Sequence, residues 1–279
     1  MAFDPQKLLA APPIVTRYTL TENKTILYAL GVGARELQYV YEDGLKALPT
    51  MGVVIGYPGF IWRDPAYGVN WQKILHAEQS TQIFRPIPVK GELRGETRFA
   101  ALYDKGADKG TLCLVERKIF DEADGALIAT ANQTTFLRGD GGHGGSEGSP
   151  PAPHAIPDRP ADKSVTLESS WDQAILYRLS GDLNPLHIDP AVAKAAGFER
   201  PILHGLCSYG IVGRALVQAL ADNNPERLTR MDCRFSSPVY PGETLATDIW
   251  IEGEGKAAFR TKVVERDLVV LNNGYAEFI

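Results

Sequence analysis

Residues 180–190 read SGDLNPLHIDP, which places Asp182, Asn184 and His187 within six positions of one another. A carboxylate and an imidazole facing one site are the usual partners for general acid–base work, because surroundings tune their proton affinities in opposite directions. The same residue types also make turns, in which Asx side chains bond their own backbone. Two features favour the chemistry. His187 stands between Leu186 and Ile188, in a stretch flanked by apolar segments, so its polar groups need partners. Downstream, PILHGLCSYG puts Gly205 at the start of an expected helix. Free N–H groups and a positive dipole end gather there, and a glycine lets a carbonyl oxygen approach the backbone. The chain has no G-x-S-x-G elbow, HExxH motif or phosphate-binding loop. Cys113, Cys207 and Cys233 are odd in number and widely spaced, which suits neither a disulfide framework nor a zinc site. Cys207, three residues from His204, reads as a buried thiol. Together these point to proton transfer beside a carbonyl, with no metal, no cofactor and no covalent intermediate.

These residues need elements to hold them. Helical spacing over CSYGIVGRALVQALAD (207–222) predicts a helix buried on most sides. Shorter helices are expected at about 22–30 and 170–179, with Ser169 or Ser170 as N-cap of the second. RFAALYD, TLCLVERKIFD and ALIATANQTTFL read as strands in one half, and ETLATDIWIEG, AAFRTKVVERD and LVVLNNGYAEF in the other. A long apolar helix followed by antiparallel strands predicts an α+β architecture, a sheet wrapped around a helix.

The Gly- and Pro-rich stretch from Arg138 to Asp162 has a linker's composition. It separates two halves that echo each other: Leu27–Leu30 with Leu176–Leu179, and Val115–Arg117 with Val264–Arg266, both at offset 149. Phe84 and Gly91-Glu92 match Phe235 and Gly242-Glu243 at offset 151. At offset 149 Asp182 corresponds to Gly33, with no Asn or His following, so the first half keeps the repeat and lacks the polar set. The expected division is 1–138, a linker at 139–162, and 163–279. The first half's counterpart of the long helix, PTMGVVIGY, is short, and the space this leaves is expected to take a ligand's tail.

A chain of 279 residues with 44% hydrophobic and 23% charged residues is globular in composition. Its net charge of -5 gives no reason to expect nucleic acid, and no apolar run reaches 18 residues, so no membrane partner is expected. With no signal peptide core and no peroxisomal address at YAEFI, the expected location is the cytoplasm.

The stretch YRLSGDLNPLHIDPAVAKAAGFERPILHGLCSYG resembles the hydratase 2 signature of MaoC-like (R)-specific enoyl-CoA hydratases. The similarity runs through LYALGVGA, LPTMGVVIG, ILHAEQ and RFSSPVYPGETL, and suits the two-repeat type found in peroxisomal multifunctional enzyme type 2. It implies a double hot-dog fold, usually paired as a homodimer, and reversible hydration of trans-2-enoyl-CoA to (3R)-3-hydroxyacyl-CoA. Coenzyme A is then part of the substrate. Asp182, Asn184 and His187 would be the catalytic set and Gly205 the N–H donor to the thioester oxygen. His76, Ala77, Lys105, Leu183, Pro185, Leu186 and Phe235 would touch the ligand, Lys105 at a phosphate. Ala77 departs from the glycine of relatives. Which of Asp182 and His187 moves which proton stays open, as do a specialised branched or dicarboxylic substrate and a non-catalytic acyl-CoA-binding module. Thioesterases of this fold lack the D-x-N-x-x-H set.

Overall fold

The computed structural model describes residues 3–279. In the first half, α1 (Pro5–Leu9) and β1 (Ile14–Leu20) precede α2 (Glu22–Gly31) and α3 (Leu37–Val40), followed by β2 (Ile74–Ile83), β3 (Gly91–Asp104), β4 (Thr111–Asp121) and β5 (Leu127–Leu137). The second half runs β6 (Lys163–Glu168), α4 (Gln173–Tyr177), α5 (Pro190–Ala195), α6 (Gly205–Leu220), then β7 (Leu228–Phe235), β8 (Thr244–Gly253), β9 (Lys256–Val263) and β10 (Leu268–Phe278).

All ten strands form one antiparallel sheet in the order β1-β3-β4-β5-β2-β7-β10-β9-β8-β6. Read inward from either edge, the two halves have the same order. They meet at β2 and β7, in register from Glu78↔Arg234 to Gln82↔Arg230. Strict alternation builds the strands: in TLCLVERKIFD every second side chain from Thr111 to Ile119 is buried, the pattern of a sheet with one face on a core.

Around α6 the second half closes as expected. Twelve of its sixteen residues are buried, so it is apolar almost all round. At 1.5 Å per residue it is about 24 Å long. Its first-half counterpart is a single 3-10 turn, Pro49–Val53, in place of the helix expected around 50–57. Gly210 and Gly213 let the first half lie directly on α6. A Cβ at Gly210 would sit 2.3 Å from Val32 Cγ1, and one at Gly213 2.4 Å from Thr50 Cγ2. One core cluster accordingly holds residues of both halves, among them Tyr28, Met51, Tyr177, Leu216 and Phe259. This is a double hot-dog fold.

Three expectations are corrected. The helix expected at 170–179 has its α-turns only at Gln173–Tyr177, and the capping position is Asp172. Ser169 and Ser170 do not cap it, because Ser169 Oγ donates to Glu243 O and Ser170 Oγ binds Asp172 Oδ1. The Val115–Arg117 match is a coincidence of spelling: that tripeptide lies inside β4, whereas Val264–Arg266 lies past the end of β9. The Leu27–Leu30 match is structural, since α2 and α4 pack together with Tyr28 and Tyr177 ring centroids 6.1 Å apart. Four strands, β1, β2, β6 and β7, go beyond those expected from the sequence.

The Gly- and Pro-rich stretch carries no helix or strand, yet both halves hold it. Asp104 accepts from the Gly142 and Gly144 amides, and Thr111 Oγ1 donates to Asp140 O. His154 pairs with Glu252, while Trp250 Nε1 donates to Arg159 O. No helix among the described residues is long and apolar enough to cross a membrane.

Candidate active site

SGDLNPLHIDP is a turn, and its turn chemistry aims its polar side chains. Gly181 sits at φ 121, a conformation other residues rarely adopt. Asp182 Oδ1 accepts from Asn184 N at 3.1 Å, and Asn184 Oδ1 caps the 3-10 turn Pro185–His187 by accepting from Leu186 N at 3.2 Å. Pro185 fills the first position of that turn, where no N–H is needed. The turn points His187 inward, to 9% exposure, while Asn184 stays exposed with its amide N–H groups unengaged.

His187 Nδ1 lies 2.9 Å from Ile202 O. A carbonyl can only accept, so Nδ1 carries the proton and Nε2 is left as the basic atom. Burial lowers the proton affinity of this imidazole, more than the nearby Asp182 carboxylate raises it. His204, the residue before α6, stacks on it with centroids 3.8 Å apart. Its Nε2 faces the Asp182 backbone carbonyl at 3.2 Å, so by the same reasoning His204 donates to it and holds the Asp182 main chain. Burial first, then the neighbouring His187, pushes His204 down to about 3. Asp182, His187 and His204 offer polar atoms that all lie within 4.8 Å of one another.

Gly205 begins α6, and no side chain caps that helix end. Its face is set by Phe235, whose ring would be 3.3 Å from a Cβ there. Phe235 in turn packs edge-on against His76, centroids 5.0 Å apart. Burial lowers His76 to about 4, against the pull of Asp182. Ala77 follows at a break in the β2–β5 register, a bulge between His76 and Glu78, and it needs no positive φ. An alanine therefore fits this backbone without strain.

The structure thus gathers Asp182, His187, Gly205, Phe235, His76 and Ala77. Leu186, next to His187 in the 3-10 turn, is half-buried, while Leu183 and Pro185 are exposed. Lys105 stands apart, exposed in the turn between β3 and β4. Ile74, Leu137, Thr111 and Asp104 are partnered in one row, so Lys105 lies at the sheet end where β2 starts, three strand spacings or about 14 Å from it. Gly33, the first-half counterpart of Asp182, faces Arg214 and Gln173 instead.

Sequence reasoning missed three participants: His204 as the stacked partner, Tyr57 and Arg117. Burial and the Asp182 charge raise the Tyr57 phenol to about 12. Arg117 lies over the Tyr57 ring at 5.3 Å and donates to Val53 O at 2.6 Å, closing the end of the 3-10 turn. Only the turn's position beside Asp182 could have revealed them, and that position is tertiary. Cys207 is no nucleophile: burial raises its thiol well above the ordinary range, and Sγ donates to Gly31 O. A pocket of about 210 Å³ lies away from this cluster. It lies past the start of the 3-10 turn, lined by Leu45, Ala47, Pro49, Ile83, Ile87 and Pro225. The turn's length sets it roughly 10 Å from Val53.

The chain matches two family profiles, the MFE-2 hydratase 2 N-terminal domain over residues 18–139 and the MaoC like domain over 153–273. It is 40% identical to the Mycobacterium tuberculosis 3-hydroxyacyl-thioester dehydratase Y, over 100% of this chain and 99% of that one. It is 41% identical to the mouse peroxisomal multifunctional enzyme type 2, over 93% of this chain but 36% of that longer protein. The crystal structure of a MaoC-like dehydratase from Phytophthora capsici superposes with a TM-score of 0.90 at 38% identity, covering 98% of both chains. With both halves matched in order and the Asp–His cluster at the mouth of α6, the chain belongs to the MaoC-like hydratase 2 family of double hot-dog hydro-lyases.

Proposed function

We propose that the protein adds water reversibly to trans-2-enoyl-CoA, giving (3R)-3-hydroxyacyl-CoA, with Asp182 and His187 as the acid–base pair. The observation that carries this is the fixed tautomer of His187, which leaves Nε2 basic in a residue clustered with the Asp182 carboxylate at the uncapped start of α6. Hydration needs a base for water attacking C3, a proton for C2 and a polarised thioester carbonyl. Asp182 and His187 share the two proton transfers, and the Gly205 N–H receives the oxygen. Asn184 orients the water through its amide N–H groups. His204 fixes the Asp182 main chain. His76, Ala77 and Phe235 border the thioester, Leu186 backs His187, and Leu183, Pro185 and Lys105 meet the CoA moiety. With His187 Nδ1 and His204 Nε2 both bonded to backbone carbonyls, the two rings are held for proton handling; we read the reaction as needing no cofactor.

We assign residues 1–138 to acyl-tail binding, 139–162 to the linker and 163–279 to catalysis. The pocket past the 3-10 turn supports medium to long or bulky acyl chains. Assembly as a homodimer belongs to this reading. It is supported by exposed Trp171, Ile175 and Leu179, three large apolar side chains on one helical turn and the residues flanking it.

The test is loss of the conjugated thioester absorbance with trans-2-enoyl-CoAs of several lengths, with chiral analysis of the product. A 3S product, or free CoA release in place of hydration, would overturn the assignment. A kcat/KM falling steadily from four carbons upward would overturn the long-chain part. A monomer by analytical ultracentrifugation would overturn the dimer.

A further inference from the structure

Residues 57–73 connect the 3-10 turn to β2 with no strand or α-helix, and both ends reach the site. Tyr57 opens the segment beside Asp182, and Ile74 begins β2 two residues before His76. The segment is firmly anchored. Trp62 (3% exposed) and Val69 join Phe3, Leu8, Phe99 and Leu102 in a second core cluster, and Asp140 accepts from Asn70 N. From this anchored base two other aromatic rings face outward. Phe60 is 45% and Trp71 38% exposed, set edge to face with centroids 6.2 Å apart. The exposed Arg63 guanidinium lies over both, 5.7 Å and 4.9 Å from the ring centres, and makes no ion pair among the described residues.

A long ordered loop that buries one tryptophan and exposes another is built to present a surface. Two rings with a cation laid across them suit a flat, electron-rich, negatively substituted ligand. Purine bases stack on aromatic rings and on guanidinium planes alike. Three exposed cations stand nearby, alongside Asp64 next to Arg63 and Asp104 in the same row. Lys73, Arg138 and Lys105 each adjoin one residue of the row Ile74, Leu137, Thr111 and Asp104, and all three are exposed. Trp71 is five residues from His76, at most about 17 Å of extended chain, within reach of a pantetheine arm.

We infer that Phe60, Arg63 and Trp71 form the platform on which the 3′-phosphoadenosine end of the CoA thioester docks. The inference rests on the hydratase reading and adds its nucleotide subsite. The platform binds remote from the reacting carbons, so it lowers KM without touching the chemical step.

The test compares trans-2-hexenoyl-CoA with the trans-2-hexenoyl pantetheine thioester, in the wild type, Trp71→Ala and Arg63→Gln. The expected result is a KM for the CoA thioester raised about tenfold in Trp71→Ala and severalfold in Arg63→Gln, with kcat held. KM for the pantetheine thioester does not move. Adenosine 3′,5′-bisphosphate should quench wild-type tryptophan fluorescence and inhibit competitively, both weakened in the variants. Equal KM shifts for the two thioesters, no shift for either, or a changed oligomeric state would overturn the platform. A wild type that hydrates both thioesters with one KM overturns the platform and spares the hydratase reading. One that hydrates neither overturns the hydratase reading, and bisphosphate quenching then decides the platform alone.

Discussion

The two halves of the sheet share one strand order and differ in what they wrap. The second half wraps a sixteen-residue helix and carries Asp182, His187 and His204 at its mouth; the first wraps a five-residue turn and carries Gly33 in the place of Asp182. The difference teaches that strand order and chemistry are separable here. Five strands need only a buried filling, whereas the Asp182–His187 cluster sits at a helix end. The shorter filling leaves room, and a pocket of about 210 Å³ lies next to it.

The sharpest way to break this comparison is Asp182→Asn. It keeps the acceptor that Asn184 N uses and removes the charge, so kcat should fall about 10³-fold with the fold intact by circular dichroism. A variant retaining a tenth of the rate would mean that the second half holds no privileged chemistry. Next is the contact by which the halves touch. Gly213→Ala places a Cβ against the buried, branched Thr50, and should cost about 2 kcal/mol in denaturant titration. An unchanged midpoint would show that the first half does not lie on α6 as described. Ala47→Phe then fills the pocket: activity on twelve-carbon enoyl-CoA should drop about tenfold while four-carbon activity holds. Equal losses at both lengths would detach the pocket from the acyl tail.

The subtlest effect to read out is on pH. Burial lowers His187 and His204 below the value of about 6.5 that they have in the unfolded chain, so unfolding takes up protons. Their contribution to stability is complete above that value and is lost as pH falls toward about 3, where His204 protonates in the fold. His204 contributes a slope of up to about 1.4 kcal/mol per pH unit in that window, and His187 acts in the same direction. His204→Asn should therefore flatten the dependence of unfolding free energy between pH 6.5 and 4.5, and an unaltered slope would rule the residue out as its source.

Much of this was legible in residue order. The long helix showed in its periodicity, six strands in their β-rich runs, and the closeness of Asp182 and His187 in their spacing. What the sequence hid follows a physical pattern. β2 and β7 run ILHAEQSTQI and LTRMDCRF, where polar residues on both faces blur the period of two, because these strands form the seam between the halves. The Val-Glu-Arg echo misled because identity of letters ignores hairpin length, and β4 is three residues longer than β9. His204 and Tyr57 are separated from Asp182 by 22 and 125 positions, so only folding brings them to it.

The seam has a bearing on how the gene could be arranged. Glu78 to Gln82 pair with Arg234 to Arg230 across it, Arg234 binds Glu78 at 2.7 Å, and the core beneath belongs to both sides. The halves are held by this pairing and burial, not by the peptide that joins them. Two separate polypeptides, cut between Glu147 and Gly148, should assemble when co-expressed and recover hydration. The joined chain is then one way of keeping two unequal partners at a one-to-one ratio.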